Sequence, residues 1–242
     1  MNTDMLCQLK DLWQAAFHEP PEAIDNFFAT GFSPHRFAYL EENNKILCAL
    51  YWFDCSYPGG KLAYIYAVAT DPAHRGKGLA SRLLEQTHAR LKTQGYAGAV
   101  LKPANGLFPF YQRLGYVTSG YLRRFHAEAA NSAALKVLTA ADYGRQRRHF
   151  LPENAIVQEG AALDFLESFA SFYAAEDALV CVSREDSVIF EYLGNPLSAP
   201  GILAALGIKS AQIPTPGTEI PFAMWLPLNC TKPPGYLGLS LE

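Results

Sequence analysis

The stretch Val68-Ala69-Thr70-Asp71-Pro72-Ala73-His74-Arg75-Gly76-Lys77-Gly78-Leu79-Ala80 leaves an apolar strand, makes a turn and opens a helix. Gly76 and Gly78 have no Cβ, so consecutive backbone N–H groups can converge there on one anion at a helix N-terminus. Unpaired donors and the positive end of the helix dipole suit a pyrophosphate, and Arg75 and Lys77 add charge beside it. A flexible helix start explains the same glycines without a ligand, so the loop alone leaves both readings open. Spacing excludes two familiar phosphate sites. A Walker loop needs G-x-x-x-x-G-K-[ST], whereas Gly78 is followed by Leu79. A dinucleotide fingerprint needs G-x-G-x-x-G, and its last position is Ser81, downstream of antiparallel hairpins.

Upstream of the loop, Leu6, Leu9, Leu12, Trp13 and Phe17 recur at helical spacing over Asp4–Phe17. Pro20-Pro21 breaks that helix and starts another from Glu22 to about Thr30. Strands follow at Arg36–Leu40, Lys45–Phe53 and Leu62–Thr70, joined by turns at Glu42-Asn43-Asn44 and Tyr57-Pro58-Gly59-Gly60. Downstream, a helix runs from Gly76 to Thr93 and stops at Gly95. A strand at Ala97–Lys102, a helix at Asn105–Leu114 ended by Gly115 and a strand at Tyr116–Phe125 complete the unit. This order predicts an α/β domain with a mixed sheet over residues 1–127.

Ala127 to Ala134 is small and polar and reads as a linker to a second domain, residues 134–242. There the pattern predicts a strand at Leu135–Leu138, helices at Ala140–His149 and Gly160–Tyr173, and strands at Ala178–Arg184 and Ser187–Leu193. A short helix at Ala199–Leu206 and strands at Ala211–Pro214, Phe222–Leu228 and Gly235–Leu241 follow. The element order suggests a degenerate copy of the first half. It lacks the phosphate loop, whose place is taken by Leu193-Gly194-Asn195-Pro196.

Half of the 242 residues are apolar, 18% are charged and the net charge is −3. That balance excludes a disordered chain and argues against a general nucleic-acid binder. Uninterrupted apolar runs reach eight residues, as at Ile46–Phe53, against about 20 for a membrane span. Met1–Lys10 lacks the pattern of a secretory signal. Cys7, Cys48, Cys55, Cys181 and Cys230 form no C-x-x-C pair, and the histidines have no metal-ligand spacing. The expectation is a cytoplasmic monomer or homodimer with no structural metal and no nucleic-acid or membrane partner.

A second segment, Asn105-Gly106-Leu107-Phe108-Pro109-Phe110-Tyr111-Gln112-Arg113-Leu114-Gly115-Tyr116, stands at the expected distance after the loop. Together the two resemble the GCN5-related N-acetyltransferase superfamily, with its V-x-P-x-x-R-G-x-G-[LI]-[AG] loop and later N-x-x-x-x-x-[FY]-Y-x-x-x-G-[FY]. The resemblance covers about residues 1–126. It implies the acyl-CoA acyltransferase fold, in tandem with the degenerate copy, and acetyl-CoA as co-substrate between the strands at Leu62–Thr70 and Ala97–Lys102. By the same resemblance, the pantetheine arm pairs with backbone at Ala67, Val68 and Thr70, and Asn105 contacts it; as a plain N-cap, Asn105 needs no ligand. The pyrophosphate rests on Arg75, Gly76, Lys77, Gly78, Leu79 and Ala80. Ala73 departs from the Gln or Arg often found at the first loop position, which puts little in doubt because backbone supplies most of the grip.

Tyr111 matches the family tyrosine that protonates the departing thiolate, and the N–H of Val68 is the expected oxyanion donor. As the plainer alternative, Tyr111 only packs its helix. The general base is left open among Asp54, Glu41, Glu42 and water. Tyr64 and Tyr66 either line the acceptor side or belong to the core. The apolar final strands predict that the second half docks on the first, with Trp225 or Tyr236 near the cleft mouth and the Glu242 carboxylate within reach. The function expected is transfer of acetyl to a small primary amine. The alternatives are a protein amine as acceptor and a non-catalytic acyl-CoA-binding module.

Overall fold

The computed structural model of the chain describes residues 3–241. Two helices open it, α1 (Thr3–Phe17) and α2 (Pro21–Thr30), burying Leu9, Leu12, Trp13, Ile24 and Phe27. Pro21 occupies the first turn of α2, where a missing N–H costs nothing. Strands β1 (Phe37–Glu42), β2 (Lys45–Tyr57) and β3 (Gly60–Thr70) form an antiparallel meander. Its first turn is the pair Asn43 and Asn44, both at positive φ, which matches the twist of a two-residue hairpin. Then come α3 (Leu79–Thr93), β4 (Gly98–Leu101), α4 (Phe108–Arg113) and β5 (Val117–Glu128).

The second half contains β6 (Lys136–Leu138), α5 (Ala140–Phe150), β7 (Val157–Gln158), α6 (Ala161–Glu167) and β8 (Ala170–Ala174). It continues with β9 (Ala178–Ser183), β10 (Ile189–Gly194), α7 (Ala199–Ala205), β11 (Ser210–Pro216) and β12 (Ile220–Pro227). The larger sheet has the order β1-β2-β3-β4-β12-β5-β11, with β7 added beside β2; the smaller is β10-β9-β8-β6. Among the described residues, only β3 and β4 pair in parallel.

Two sheets fit a tandem arrangement, but the expected break at 127–134 does not separate them. β5 continues to Glu128, and β11 pairs with it from Ser210↔Glu128 to Pro216↔Leu122. β12 inserts between β4 and β5, with Met224↔Leu101 and Trp225↔Val100 on one side and Trp225↔Val117 on the other. The physical reason lies in β4, whose four residues are all buried. A buried strand needs a partner on both edges, and the second partner comes from the far end of the chain. The unit expected at 134–242 therefore gives three strands, β7, β11 and β12, to the first sheet.

Two further expectations are corrected. The helix at Gly160–Tyr173 ends at Glu167, and Ala170–Ala174 is a strand, with Phe172 buried and its neighbours Ser171 and Tyr173 partly exposed. The stretch 235–241 forms no ladder. Pro233 and Pro234 offer no N–H, and Gly238 turns the chain at a φ of 76° where a side chain would strike Glu191. The segment is nevertheless buried at Tyr236, Leu237, Leu239 and Leu241. Two of its carbonyls accept from buried side chains, Leu237 O from Arg147 at 3.1 Å and Leu239 O from Gln158 at 2.8 Å, and Tyr236 O accepts from the Ile156 N–H at 2.8 Å.

Arg147 and Glu191 join α5, β10 and this last segment. The guanidinium donates through Nε at 2.7 Å and Nη2 at 2.8 Å to the two carboxylate oxygens, with both side chains essentially fully buried. Tyr143 adds a 2.8 Å hydrogen bond to Glu191. Burial works against the guanidinium charge, and the adjacent carboxylate more than offsets it, so Arg147 binds its proton more tightly than usual. Nearer the first sheet, Phe165 of α6 stacks on Phe53 at 6.0 Å and meets Phe27 and Tyr66 edge-on, locking the halves together. Arg147→Met should strand the buried Glu191 charge and destabilise the chain by about 3–5 kcal/mol in urea unfolding. Combining it with Glu191→Leu should recover most of that loss, and a double variant as unstable as the single one would show that the charge pair is not the anchor.

Candidate active site

β3 and β4 pair only from Leu62↔Gly98 to Tyr64↔Val100. Past that point β4 ends at Leu101, while β3 runs on to Thr70 against β2 alone. The strands part over a bulge: Tyr66 faces Tyr51 and Ala69 faces Ala49, leaving Ala67 and Val68 against Leu50. Ala67 takes a left-handed φ of 47°, a conformation that costs an L-residue roughly 1–2 kcal/mol. The β3 backbone facing the gap has no strand beside it, so an extended chain carrying amides can lie along it.

The turn after β3 is fixed by Asp71. Its carboxylate accepts from Lys45 Nζ at 2.6 Å and from the Ala73 N–H at 2.9 Å, while its own N–H donates to Leu47 O. The Lys45 hydrogen bond, with smaller help from Ala73 and His74, holds the carboxyl down to about 2. Gly76 and Gly78 follow at φ 76° and 75°, and no atom would obstruct a Cβ at either. Glycine is needed there for the backbone angle, not for room. Gly78 caps α3, whose first backbone bond is Arg82 N–H to Gly78 O at 3.0 Å. The N–H groups of Leu79, Ala80 and Ser81 thus open the helix without intrahelical partners. Arg75 donates to Ala16 O at 3.1 Å and so ties the loop to the end of α1, which has no basic residue in its last turn.

Facing the loop across the gap is α4. A cleft of about 690 Å³ between them is lined by Val68, Thr70, Arg75, Gly76, Gly78, Leu79, Ala80 and Tyr111. Tyr111 is 7% exposed, against Phe110 and Tyr116. Of the residues singled out from sequence, Ala67, Lys77 and Asn105 do not line the cleft. Ala67 forms the bulge, and Lys77 points to solvent between its glycines. Asn105 is neither helical nor an N-cap. It sits in an exposed turn closed by Leu107 N–H to Ala104 O, and α4 begins three residues later than the spacing predicts.

The cleft also includes Ala16, Phe17, His74, Ser81, Leu107, Phe110, Arg113 and Leu114. Leu107, Phe110 and Leu114 share one helical face, a spacing legible in the sequence. Nothing local marks Ala16 or Phe17, which arrive through the packing of α1. Arg75 and Arg113 give the cleft its cationic side.

None of the carboxylates considered as a base lies in this cleft. Asp54 accepts from Tyr96 at 2.5 Å and pairs with Lys61 at 3.2 Å. It faces Ala63, five positions before Val68 along β3, about 16 Å away at strand rise. Glu41 and Glu42 are exposed beside the β1–β2 turn. Tyr64 and Tyr66 belong to the apolar core, at 1% and 7% exposure. Trp225 and Tyr236 are buried but line no part of this cleft. Glu242 lies outside the described residues. The five cysteines are unpaired. Among the described residues no cluster of His, Cys, Asp or Glu is arranged to hold a metal, and no helix is long and apolar enough to cross a membrane.

Comparison with known proteins agrees with this geometry. Residues 1–118 match the family model described as an acetyltransferase (GNAT) domain. No curated protein sequence matches the chain. Among solved structures, a GCN5-related N-acetyltransferase from Kribbella flavida is similar at a TM-score of 0.66 and 17% identity, over 94% of this chain and 70% of that one. A GCN5-related N-acetyltransferase from Anabaena variabilis gives 0.69 and 16%, over 93% and 70%. Eis1 from Mycobacterium abscessus gives 0.70 and 10%, over 95% and 72%. At these identities the similarity concerns the fold, and it runs through both halves. Residues 1–118 are a domain of the GCN5-related N-acetyltransferase superfamily, and the chain is accordingly an acyltransferase.

Proposed function

We propose that the chain transfers an acetyl group from acetyl-CoA to a primary amine of a small molecule by direct attack on the thioester. The observation that carries this reading is one cleft joining the glycine loop at the start of α3, the bulge at Val68 and Tyr111 of α4. The pyrophosphate rests on the N–H groups that open α3, with Arg75 beside it. The pantetheine arm lies along β3 where β4 has parted from it, its amides pairing with the backbone at Ala67, Val68 and Thr70. That orientation carries the thioester toward the bulge.

The amine nitrogen attacks the thioester carbonyl carbon, and the oxygen takes up the negative charge. The Val68 N–H, at the bulge, stabilises that oxyanion. Collapse re-forms the C=O bond, breaks the C–S bond and releases the CoA thiolate, which takes a proton from the Tyr111 phenol. A phenol suits this step because it keeps its proton at neutral pH yet gives it to a thiolate. The attacking nitrogen loses its proton to water, and water returns one to Tyr111. The second half, fastened by Phe165 and β7, backs the sheet that carries β3. Unpaired cysteines support a reducing cytoplasmic setting.

A panel of primary amines assayed for thiol release from acetyl-CoA tests the reaction. Turnover with small amines supports it, whereas turnover confined to peptide amines assigns a protein acceptor. Tyr111→Phe should lower kcat by roughly 10–1,000-fold with little change in CoA affinity; unchanged turnover with chemistry rate-limiting would remove Tyr111 from the mechanism. Gly76→Val and Gly78→Val should each weaken CoA binding far more than Lys77→Ala, because a β-branched residue resists positive φ. Calorimetry giving equal losses for all three would refute a backbone-built phosphate site.

A further inference from the structure

His88 and Tyr116 stand behind Tyr111 and have no part in the chemistry above. Gly115, at a left-handed φ of 88°, ends α4 and turns Tyr116 back beneath the helix. The Tyr116 N–H donates to the Tyr111 carbonyl at 3.1 Å. Its ring meets the Tyr111 ring edge to face, with centroids 5.6 Å apart and planes at 71°. Tyr116 therefore touches Tyr111 twice, through backbone and through ring. At its other end the phenol lies 2.8 Å from His88 Nε2. His88 belongs to α3, the helix whose N-terminus carries the glycine loop.

Both side chains are buried, Tyr116 at 1% and His88 at 8% exposure, among Leu83, Leu84 and Met224. Two polar groups in an apolar layer cost desolvation that Phe and Leu would avoid. What the polar pair adds is direction. A hydrogen bond at the tip of the Tyr116 ring fixes where that ring stands, and the Tyr111 ring rests on it. Burial pushes the His88 imidazole down to about 4, so at neutral pH the contact is a neutral hydrogen bond between uncharged rings.

We infer that Tyr116 and His88 are positioning residues for the general acid: His88 holds Tyr116, and Tyr116 sets the angle from which the Tyr111 phenol meets the departing sulfur. This rests on the reading of Tyr111 as that acid. A proton donor displaced by about 1 Å forfeits up to 100-fold in rate, so a chain of contacts reaching from α3 to the sulfur has kinetic consequences.

The test is a double-variant cycle in the full chain, with acetyl-CoA as donor, n-butylamine or water as acceptor probe, and thiol release as readout. Tyr116→Phe should lower kcat by roughly 10-fold and leave the KM for acetyl-CoA unchanged. The same change in a Tyr111→Phe background should cost nothing further. His88→Leu should match Tyr116→Phe, and His88→Gln, which keeps a hydrogen-bonding group opposite the phenol, should retain most of the rate. Additive losses in the double variant overturn the inference and leave the acid reading intact. Full turnover by Tyr111→Phe overturns the acid reading and this inference with it. Should a variant be too slow to assay, nuclear magnetic resonance of ring-labelled tyrosine in the CoA-bound protein reports directly. The Tyr111 ring signal should move in Tyr116→Phe and in His88→Leu but not in His88→Gln, and a signal unmoved in all three refutes the positioning role.

Discussion

The parting of β3 from β4 is the constraint around which the rest is arranged. Two parallel strands that stayed paired would leave no edge for a ligand, and the loop at the start of α3 would close against α4. β4 ends at Leu101 while β3 runs on, and beyond their last pair β3 carries an extra residue at Ala67–Val68, which increases its local twist. The strain at Ala67 persists because the surrounding structure over-determines it. Tyr66 is gripped by Phe27, Phe53 and Phe165 on one side of the bulge, and Asp71 by Lys45 and Leu47 on the other. With both ends anchored, the intervening backbone cannot relax into a regular ladder.

An opening made this way has to be supported from behind, and the second half of the chain supplies that support. β12 seals the far edge of β4, so the gap beside β3 is the place where the large sheet is open in its interior. α6 covers the aromatic layer under β2 and β3. The Arg147–Glu191 pair then holds the Tyr236–Leu241 segment beneath the sheet, where the Leu241 N–H meets the Tyr64 hydroxyl at 3.4 Å. Burying an ion pair is an expensive way to add stability. It gives a segment without a ladder one fixed path through the core.

Local chemistry made much of this legible in the sequence. The loop could be read from Arg75-Gly76-Lys77-Gly78 because only glycine accepts the required φ without strain. Tyr111 could be read from its place before Gly115. The meander followed from two turns, and the apolar faces of α1 and α3 from their spacing. What escaped were matters decided by distant partners. Trp225 and its neighbours read as a strand, but nothing local says that the strand beside them is Val100 rather than a neighbour in the second half. The run Gly235–Leu241 has the apolar content of a strand, and its Leu237 and Leu239 carbonyls accept from Arg147 and Gln158. Ala170–Tyr173 continues a helical spacing, yet pairs with β9 because an edge is waiting there. Asn105 looked like an N-cap, and α4 began only after one more turn.

The late arrival of β12 bears on how the chain reaches this state in the cell. β4 leaves the ribosome with one edge paired, and its second partner at Met224–Pro227 follows about 120 residues later. At roughly 5–20 residues per second, that is about 6–24 s of synthesis. Throughout that interval the nascent chain carries the complete glycine loop and α4, while β4 and β5 wait for the strand between them. Unpaired strand edges invite pairing with other chains, and contacts of such long sequence separation form slowly. Synthesis must therefore pass residue 227 before β4 has a partner on both edges.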